Sequence, residues 1–589
     1  MLFLLLSLLA APAVPLGAEN APVKNPDTLI FSPTPGAELV SFDPAYPYDA
    51  VSPGIYFNVY ETLIGFEGER NDRFVPLLAA SVPSAKNGLI SQDGLVYRFP
   101  IRKHVRFHDG TIMTAADVRY SLLRFMLTDP AGGPASLLLE PILGVTGTRD
   151  AKGNLQVSYE DAARAVGLQG DSVVIRLKRP FAPFLSIMAG WSYVLSRNAA
   201  KAHGQWDGAP DTWQRYNNPA KESSWFYDHA DGTGPFELER WDRQGRRIYL
   251  KRFDRYWRRP ARLKRVVIAT VPEFQTQKLM LEAGDADIIE PPRPYLSQVA
   301  GLPGVRIADG LPRLRTDPVL FFTLRINPLG NPDIGSGRLD GEGIPPDFFQ
   351  DKDLRQAFSY AFDYDAFLKD TMKGSAKRAI GPVPPALLGY NPNGPRYELN
   401  LLEATNHFQR AWGGKVWRNG FKFTITYNTG SEERETPCRI LKKNVESINP
   451  KFRVDVRGVD WPSFLDKAQK HMMPIFSRGW VADYPDPHNF VFAFYHSQGR
   501  YPSAQGFGDP DMDALIDEAL REVDPVKRER LYWKIQEKGY DEAPDILTAY
   551  MTGAYALRTW VRGFYDNAAF KEVYFYPLSK GYEKATRIE

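Results

Sequence analysis

Strand-like and helix-like segments alternate along this chain, and the alternation starts twice. In the first half, residues 95–107 alternate apolar and polar side chains, which predicts a hairpin with one solvent-facing side, and the apolar run 263–271 predicts a buried strand. From about residue 290 the pattern begins again, with a strand over 321–327 and an amphipathic helix over 353–370. Alternating strands and helices pack as α/β layers. We therefore predict an α/β protein with two lobes around mixed sheets.

Two short motifs predict where helices begin and end. Thr114 and Asp117 have the spacing of a capping box, in which each side chain accepts a hydrogen bond from the other residue's backbone amide. Gly284 follows a helical pattern that begins at Phe274, and glycine commonly ends helices. A further helix, in the last hundred residues, is predicted to begin with Asp511 as its N-cap.

Composition excludes some classes of protein. With 589 residues the chain can form more than one hydrophobic core. Its formal net charge of +3 is too close to balance to suggest a nucleic-acid partner. The single cysteine, Cys438, permits neither an intramolecular disulfide nor a cysteine zinc site. Aromatic residues reach 13%, which suits either aromatic walls around a ligand or simply a large core.

The first residues have the character of a signal peptide. The apolar stretch that opens the chain is too short to span a bilayer and ends in small residues, with Ala11-Pro12-Ala13 and Ala18 as possible cleavage positions. The usual basic residues are missing. We expect residues 1–18 to be a signal peptide and the protein to be exported to the periplasm. No cysteine follows this segment, so no lipid anchor is expected.

The segment Arg478–Phe490, RGWVADYPDPHNF, places a carboxylate among aromatic residues and prolines. Asp483 in such surroundings is either part of a surface turn or a charge held in a pocket for a ligand. Asp486, between two prolines, fits a turn. The residues alone leave both interpretations of Asp483 open.

Motifs for catalysis or metal binding are not evident. The chain has no G-x-S-x-G and no H-E-x-x-H motif, and its acidic run Asp509–Asp513 has Ala514 where a calcium loop needs glycine. Paired carboxylates cannot be recognised from sequence, so an exported hydrolase such as a glycosidase stays an alternative. We expect no enzyme activity, no cofactor and no metal.

A series of segments spread over the chain matches one known family in sequence and order. The matching segments are SFDPA (41–45), YETLIGF (60–66), LVYRFPIRKHVRFHDGTIMTAADVRYSLLRF (95–125), GTGPFEL (232–238), LKRFDRYW (250–257), EAGDADI (282–288), DLRQAFSYAFD (353–363) and GWVADYPDPHNF (479–490). Through them the chain resembles the family 5 extracellular solute-binding proteins, the periplasmic oligopeptide- and dipeptide-binding components of ABC importers.

The resemblance implies a two-lobed periplasmic-binding-protein fold of the type II, cluster C-like class, with an extra subdomain inserted in the first lobe. It places the discontinuous first lobe at 19–60, 186–290 and 546–589, the insert at 61–185 and the second lobe at 291–545. A ligand would bind in the cleft, and the lobes would close by a hinge motion.

The resemblance also implies the residues that bind the ligand. Asp483 matches an aspartate in a W-x-x-D arrangement that contacts the peptide ammonium in relatives. Trp480 would form an apolar wall, unless it belongs to the core, and Tyr484 would support the aspartate.

Three further residues are weaker candidates. Arg478 would bind a ligand carboxylate, and Tyr427 and Asn428, at the end of a predicted strand, would contact the peptide backbone. The expected partners are a small peptide and, transiently, a membrane permease, with the protein itself a monomer. Relatives that bind metal chelates, opines or sugars leave a non-peptide solute as the alternative.

Overall fold

The computed structural model describes residues 23–35, 38–47, 51–570 and 572–581. The predicted signal peptide, 1–18, lies outside the described residues. Among the residues described, no helix has the length and apolar character needed to cross a membrane.

Strands are distributed along the whole described chain. They are β1 Thr28–Ser32, β2 Ile64–Phe66, β3 Phe74–Pro76, β4 Val96–Pro100, β5 Val166–Gln169, β6 Ser172–Arg176, β7 Phe236–Asp242, β8 Arg247–Arg252, β9 Arg265–Ala269, β10 Ile288–Ile289, β11 Val305–Phe322, β12 Ala376–Arg378, β13 Phe421–Asn428, β14 Phe452–Val459, β15 Ile475–Val481, β16 Asp545–Leu547, β17 Ala549–Arg558, β18 Val561–Arg562 and β19 Ser579–Lys580.

Helices alternate with these strands. They are α1 Ser52–Val59, α2 Ala115–Thr128, α3 Ser136–Leu143, α4 Tyr159–Ala165, α5 Phe184–Trp191, α6 Arg197–Ala202, α7 Phe274–Ala283, α8 Lys352–Ala361, α9 Tyr364–Ala366, α10 Leu401–Arg410, α11 Lys415–Asn419, α12 Glu432–Ile448, α13 Trp461–Gln469, α14 Pro487–Tyr495, α15 Arg500–Gln505, α16 Pro510–Arg521 and α17 Pro525–Glu542.

A 12-stranded mixed sheet runs through the molecule in the order β14-β13-β15-β11-β17-β10-β1-β9-β8-β7, with β12 on β17 and β16 on β11. At one end β13 pairs in parallel with β14 and β15. Towards the other end β1 pairs in parallel with β9 and β10. Each half of the sheet therefore has parallel strands whose carboxyl ends can present a ligand site.

The two longest inner strands, β11 and β17, belong to both halves of the sheet. The first part of β11 pairs with the end of β17, from Val305 opposite Arg558 to Ala308 opposite Tyr555. Its last part, from Arg315 onwards, pairs with β15 and β16. The β11–β17 register shifts twice between 308 and 316. Bulges bend strands, so this segment is where both strands turn from one half into the other.

Separate hydrophobic cores support the two halves. One core gathers buried residues between Leu29 and Ile288 with others between Tyr555 and Leu578. A second core lies between Leu320 and Met551. The predicted two-lobed α/β fold is confirmed, whereas the boundaries of the lobes and the inserted subdomain stay predictions.

Two of the three predictions about helix ends are confirmed. Thr114 and Asp117 form the capping box at the start of α2, and the Thr114 amide donates to Asp117 Oδ2 at 2.8 Å. Gly284 ends α7 in the left-handed region, at φ 74°. The last of the capping predictions was wrong, because Asp509 caps α16 in place of Asp511 by accepting from two backbone amides.

Three segment predictions were also wrong. The strand predicted over 321–327 covers only the end of β11, which stops at Phe322. The 95–107 hairpin does not form, because His104 takes a positive φ of 63° and turns the chain, while β4 pairs with the distant β6. The predicted 353–370 helix ends at Ala361, since Phe362 is extended and Asp363 caps a new turn.

A buried ion pair ties α2 to the amino-terminal segment. Arg124 Nη1 donates to Asp43 Oδ1 at 2.7 Å, its second nitrogen bonds the other carboxylate oxygen, and Ser224 also donates to Asp43. Both side chains of the pair are buried. Burial raises the pKa of Asp43, but the Arg124 guanidinium outweighs it, so the pKa lies below its ordinary value. The capping box thus positions a helix whose arginine neutralises a buried carboxylate.

We expect Arg124→Met to lower the free energy of unfolding by about 3–5 kcal/mol at pH 7, because it leaves the Asp43 charge buried and unpaired. Denaturant titration measures this. Arg164→Met, which breaks the exposed pair with Asp161, is the control and should cost less than about 1 kcal/mol. Because the Asp43 pKa is depressed, the wild-type advantage should shrink as the pH falls below about 4. Equal effects of the two substitutions would contradict this role.

Candidate functional site

A cavity of about 400 Å³ lies where the two halves of the sheet meet. Its wall includes residues 313–315 of β11, 551–554 of β17 and 481–485 after β15. Thr34 and Glu290, which follow the parallel strands β1 and β10, complete it on the side of the first core. The cavity therefore lies at the carboxyl ends of parallel strands, where open α/β sheets bind ligands.

The loop that carries Asp483 is held by a buried ion pair one turn further on. Asp486 caps α14 by accepting from the His488 amide at 2.8 Å, and Arg528 of α17 donates to both of its carboxylate oxygens at 2.7 Å. Both side chains are buried. Asp486 was expected to form a turn, and it caps a helix. Its ion pair with Arg528 joins residues 42 positions apart, so no local sequence pattern indicates it.

Asp483 lines the cavity and is half-buried. Its amide donates to Asn489 Oδ1 at 3.2 Å, and its Oδ2 accepts from Asn489 Nδ2 at 3.1 Å. Its carbonyl accepts from Trp191 Nε1 of α5, across the cavity, at 2.8 Å. Asn489, which sequence reasoning did not single out, therefore fixes the direction of this carboxylate.

Tyr484 lines the same cavity, and its buried ring belongs to the core of the first half. Burial and the nearby Asp486 raise the pKa of its hydroxyl, so it is protonated at neutral pH. Trp480 lies outside the residues that line the cavity; its Nε1 donates to Asn489 Oδ1 at 2.8 Å, next to the Asp483 contacts.

The remaining three candidates lie near the ends of β13 and β15, outside the cavity wall. The Arg478 guanidinium lies over the rings of Trp461, at 5.0 Å, and Tyr501, at 5.7 Å. Asn428 Oδ1 accepts from an arginine of α12 at 2.8 Å. Burial, followed by a hydrogen bond to Glu435, raises the pKa of Tyr427. The structure thus groups Asp483 with Tyr484 and leaves these three beside the cavity.

Three arginines in the wall were not identified from the sequence, and each already contacts a carboxylate. Arg293 pairs with Asp309 and also donates to Thr552 Oγ1 at 2.6 Å. Arg313 donates to Asp566 at 2.8 Å, and Arg315 donates to Asp317 at 2.6 Å. They lie near the bend of β11, so their common location depends on strand register and not on a motif.

Asp317 keeps a negative charge although it is buried, because two arginines contact it. It is buried and accepts from both Arg315 and Arg434, the second at 2.9 Å. Burial raises its pKa, but the two guanidinium groups outweigh this and hold the pKa at about 2. The pair of arginines is therefore balanced by one permanent negative charge.

Three glutamates also line the cavity: Glu290, Glu433 and Glu572. Glu290 accepts from the Thr34 hydroxyl at 2.7 Å and lies 3.9 Å from Arg313 Nη2. Across the described ranges, no hydrogen bond reaches the buried Oε2 of Glu572. The cavity wall is therefore richer in carboxylates than in cations that could neutralise them.

No group of three or more His, Cys, Asp and Glu side chains in the described part of the chain is arranged to hold a metal ion.

The sequence model for bacterial extracellular solute-binding proteins, family 5 Middle, matches residues 73–502. The chain belongs to this family. Among curated relatives, the oligopeptide-binding protein OppA of Bacillus subtilis is 24% identical over 519 residues, covering 86% of this chain and 85% of OppA. The dipeptide-binding protein DppE of the same organism is 23% identical over 541 residues, covering 89% and 87%.

Solved structures show the same fold. The periplasmic binding protein DppA from Helicobacter pylori, in complex with the peptide STSA, has a TM-score of 0.68 at 24% identity and covers 94% of this chain and 98% of that one. AppA from Bacillus subtilis, in complex with a nonapeptide, has a TM-score of 0.65 at 19% identity, covering 94% and 100%. The predicted membership of family 5 is confirmed.

Gly553 allows β17 to pass the Arg313 guanidinium, since a Cβ built there would lie 2.1 Å from Arg313 Nη2. We expect Gly553→Ala to displace the guanidinium from Asp566 and to lower the free energy of unfolding by about 1–3 kcal/mol. The matched control is Gly190→Ala, in the cavity wall within α5, where no atom lies within 4 Å of the added Cβ. The control should be neutral or slightly stabilising. Denaturant titration of both variants decides, and no loss in the first would contradict the close approach.

Proposed function

We propose that this protein is the substrate-binding component of an ABC importer that captures peptides in the cavity between its lobes. It binds as a monomer in the periplasm, delivers the peptide to a membrane permease and leaves the peptide chemically unchanged. The observation that carries the proposal is a half-buried, oriented carboxylate, Asp483, in the wall of an interlobe cavity of a solute-binding protein. The relatives named for oligopeptides and dipeptides support the choice of ligand.

The physical reason lies in what all peptides share. A receptor for many sequences must bind the ammonium group, the backbone amides and the carboxylate, because the side chains vary. The Asp483 carboxylate accepts hydrogen bonds from the ammonium group, and such charge-assisted bonds are among the strongest in proteins. Burying the carboxylate without a partner would be costly, so an empty cleft that is open to water avoids that cost. Lobe closure is thereby linked to the positive charge of the ligand.

The backbone groups that all peptides share can also bind to the strands around the cavity. Residues 313–315 of β11 and 551–554 of β17, in the middle of these strands, lie in its wall, and an extended peptide can pair with backbone groups that such strands leave unpaired. Tyr484 supports the loop that carries Asp483, because its buried ring packs into the core of the facing half.

We expect Asp483→Ala to weaken binding of a free-amino tripeptide such as Ala-Ala-Ala by about two to three orders of magnitude, the equivalent of about 3–4 kcal/mol. The N-acetylated tripeptide should bind the variant and the wild type about equally, since it has no ammonium group. Titration calorimetry measures both. Asp254→Ala, at an exposed aspartate that does not line the cavity, is the matched control.

Equal affinity of wild type and Asp483→Ala for the free-amino peptide would remove Asp483 from the site. Mass spectrometry of ligand recovered from the purified protein tests the broader proposal. Peptides recovered intact after incubation support a binding protein, whereas cleaved products indicate a hydrolase, and a non-peptide solute would replace the peptide in the proposal.

A further inference from the structure

Glu572 is placed in the cavity by contacts of the backbone that follows it. Asn58 of α1 donates from Nδ2 to the Val573 carbonyl at 3.1 Å and accepts from the Phe575 amide at 2.8 Å. Gly54, one turn earlier in α1, lets the segment lie close, because a Cβ built there would be 2.2 Å from Glu572 Cβ. The position of this glutamate is therefore fixed against α1.

The side chain that these contacts position has an unsatisfied acceptor. Its Oε2 is buried, and no described residue donates a hydrogen bond to it. An unpaired buried polar atom costs free energy, so such atoms are rare and call for an explanation. A ligand that donates a hydrogen bond in this part of the cavity would satisfy Oε2.

The charges around Glu572 favour a cationic donor. Three carboxylates, those of Glu572, Glu290 and Asp566, interact electrostatically with one another and with one guanidinium, that of Arg313. Arg313 donates from Nη1 to Asp566 at 2.8 Å, whereas its Nη2 lies 3.9 Å from Glu290 and forms no hydrogen bond with the described residues. One guanidinium thus serves three carboxylates. Burial, then Glu290 and Asp566, raise the pKa of Glu572 well above its ordinary value, and Arg313 only partly opposes them. A positive charge from outside would balance this group.

The other arginines of the wall cannot supply that charge. Arg293 contacts Asp309, and Arg315 shares Asp317 with Arg434. Glu433, on the α12 side of the cavity, adds another negative charge, and none of the described basic side chains forms an ion pair with it. The ammonium group of a peptide with neutral side chains provides one positive charge, which the proposed function assigns to Asp483.

We propose that the cavity selects ligands with a second positively charged group, an ammonium or guanidinium carried by a basic side chain, and that Glu572 together with Glu290 binds this group. The inference rests on the proposed function and narrows its substrate class to basic peptides.

Binding of the second cation should depend on pH. A cation beside Glu572 favours its ionised form, so binding releases a proton when the free protein holds this carboxyl protonated. The charged groups that face Glu572 are Glu290 after β10, Arg313 of β11 and Asp566 of the carboxy-terminal segment. The affinity for a basic peptide should therefore rise with pH relative to that for a neutral peptide.

The test is titration calorimetry of the full protein with matched tripeptides. Ala-Ala-Ala is compared with the three peptides that place one lysine at each position, and each lysine peptide is compared with its Nε-acetyl-lysine form. We expect at least one lysine peptide to bind tenfold or more tightly than its acetylated partner. Glu572→Gln, which keeps the shape of the side chain, should remove that preference, measured within the variant as the ratio of the affinities for each lysine peptide and its acetylated form.

Two controls keep the outcome decisive. Thermal unfolding establishes that Glu572→Gln is folded, and Glu290→Gln, at the neighbouring carboxylate, should reduce the same preference. If every lysine peptide binds like its acetylated form, or if the preference survives in both variants, the inference is overturned while the proposed peptide-binding function stands. If no peptide binds at all, both are overturned.

Discussion

The two strands that run through both halves of the sheet are the constraint on which this structure depends. β11 and β17 pair with each other from Val305 opposite Arg558 to Thr316 opposite Tyr550, with register shifts between 308 and 316, and the last part of β11 also pairs with β15 and β16. Two cores form on either side of that bend, and the cavity lies at it. Every charged group of β11 in the wall, Arg313 and Arg315, is presented by this one segment. The bend of the central strands and part of the cavity wall are thus the same stretch of chain.

The charged residues of the cavity wall include two groups, arginines that are paired with aspartates, and glutamates that form no ion pair with a described basic residue. The arginines of the wall contact aspartates next to them, and buried or partly buried charges of this kind are stable only with such partners. Asp317, with its pKa held at about 2 by two guanidinium groups, is the clearest case. The glutamates are arranged differently, because Glu433 and Glu572 lie in the wall without an ion pair in the described residues. Their partners must come from solvent or from the ligand.

Much of this fold could be predicted from the sequence because its signals are local. A few residues suffice to recognise the capping box at Thr114 and the glycine that ends α7. The strand–helix alternation, which starts twice, is read from the spacing of apolar residues within each segment. The site could be predicted only in part. Asp483 lies within a distinctive segment, whereas Glu572 reaches the cavity through Asn58, more than five hundred positions away. The prediction of a hairpin over 95–107 was wrong because of a distant contact as well, since β4 pairs with β6 and not with the segment that follows it.

The contact between Trp191 and Asp483 joins the two halves of the molecule at the cavity. Trp191 ends α5 in the first half, and its Nε1 donates to the Asp483 carbonyl beyond the bend, while the Tyr484 ring enters the core of that same half. The loop that carries Asp483 is therefore also the loop that connects the two halves at the cavity. In the proposed function, separation of the halves would break these contacts and let water reach the carboxylate, which lowers the cost of its charge. A cationic ligand would replace that water, and the same loop would close over it. The segment Val481–Pro485 is suited to couple recognition to closure, because the Asp483 side chain lines the cavity while its backbone and Tyr484 contact the opposite half.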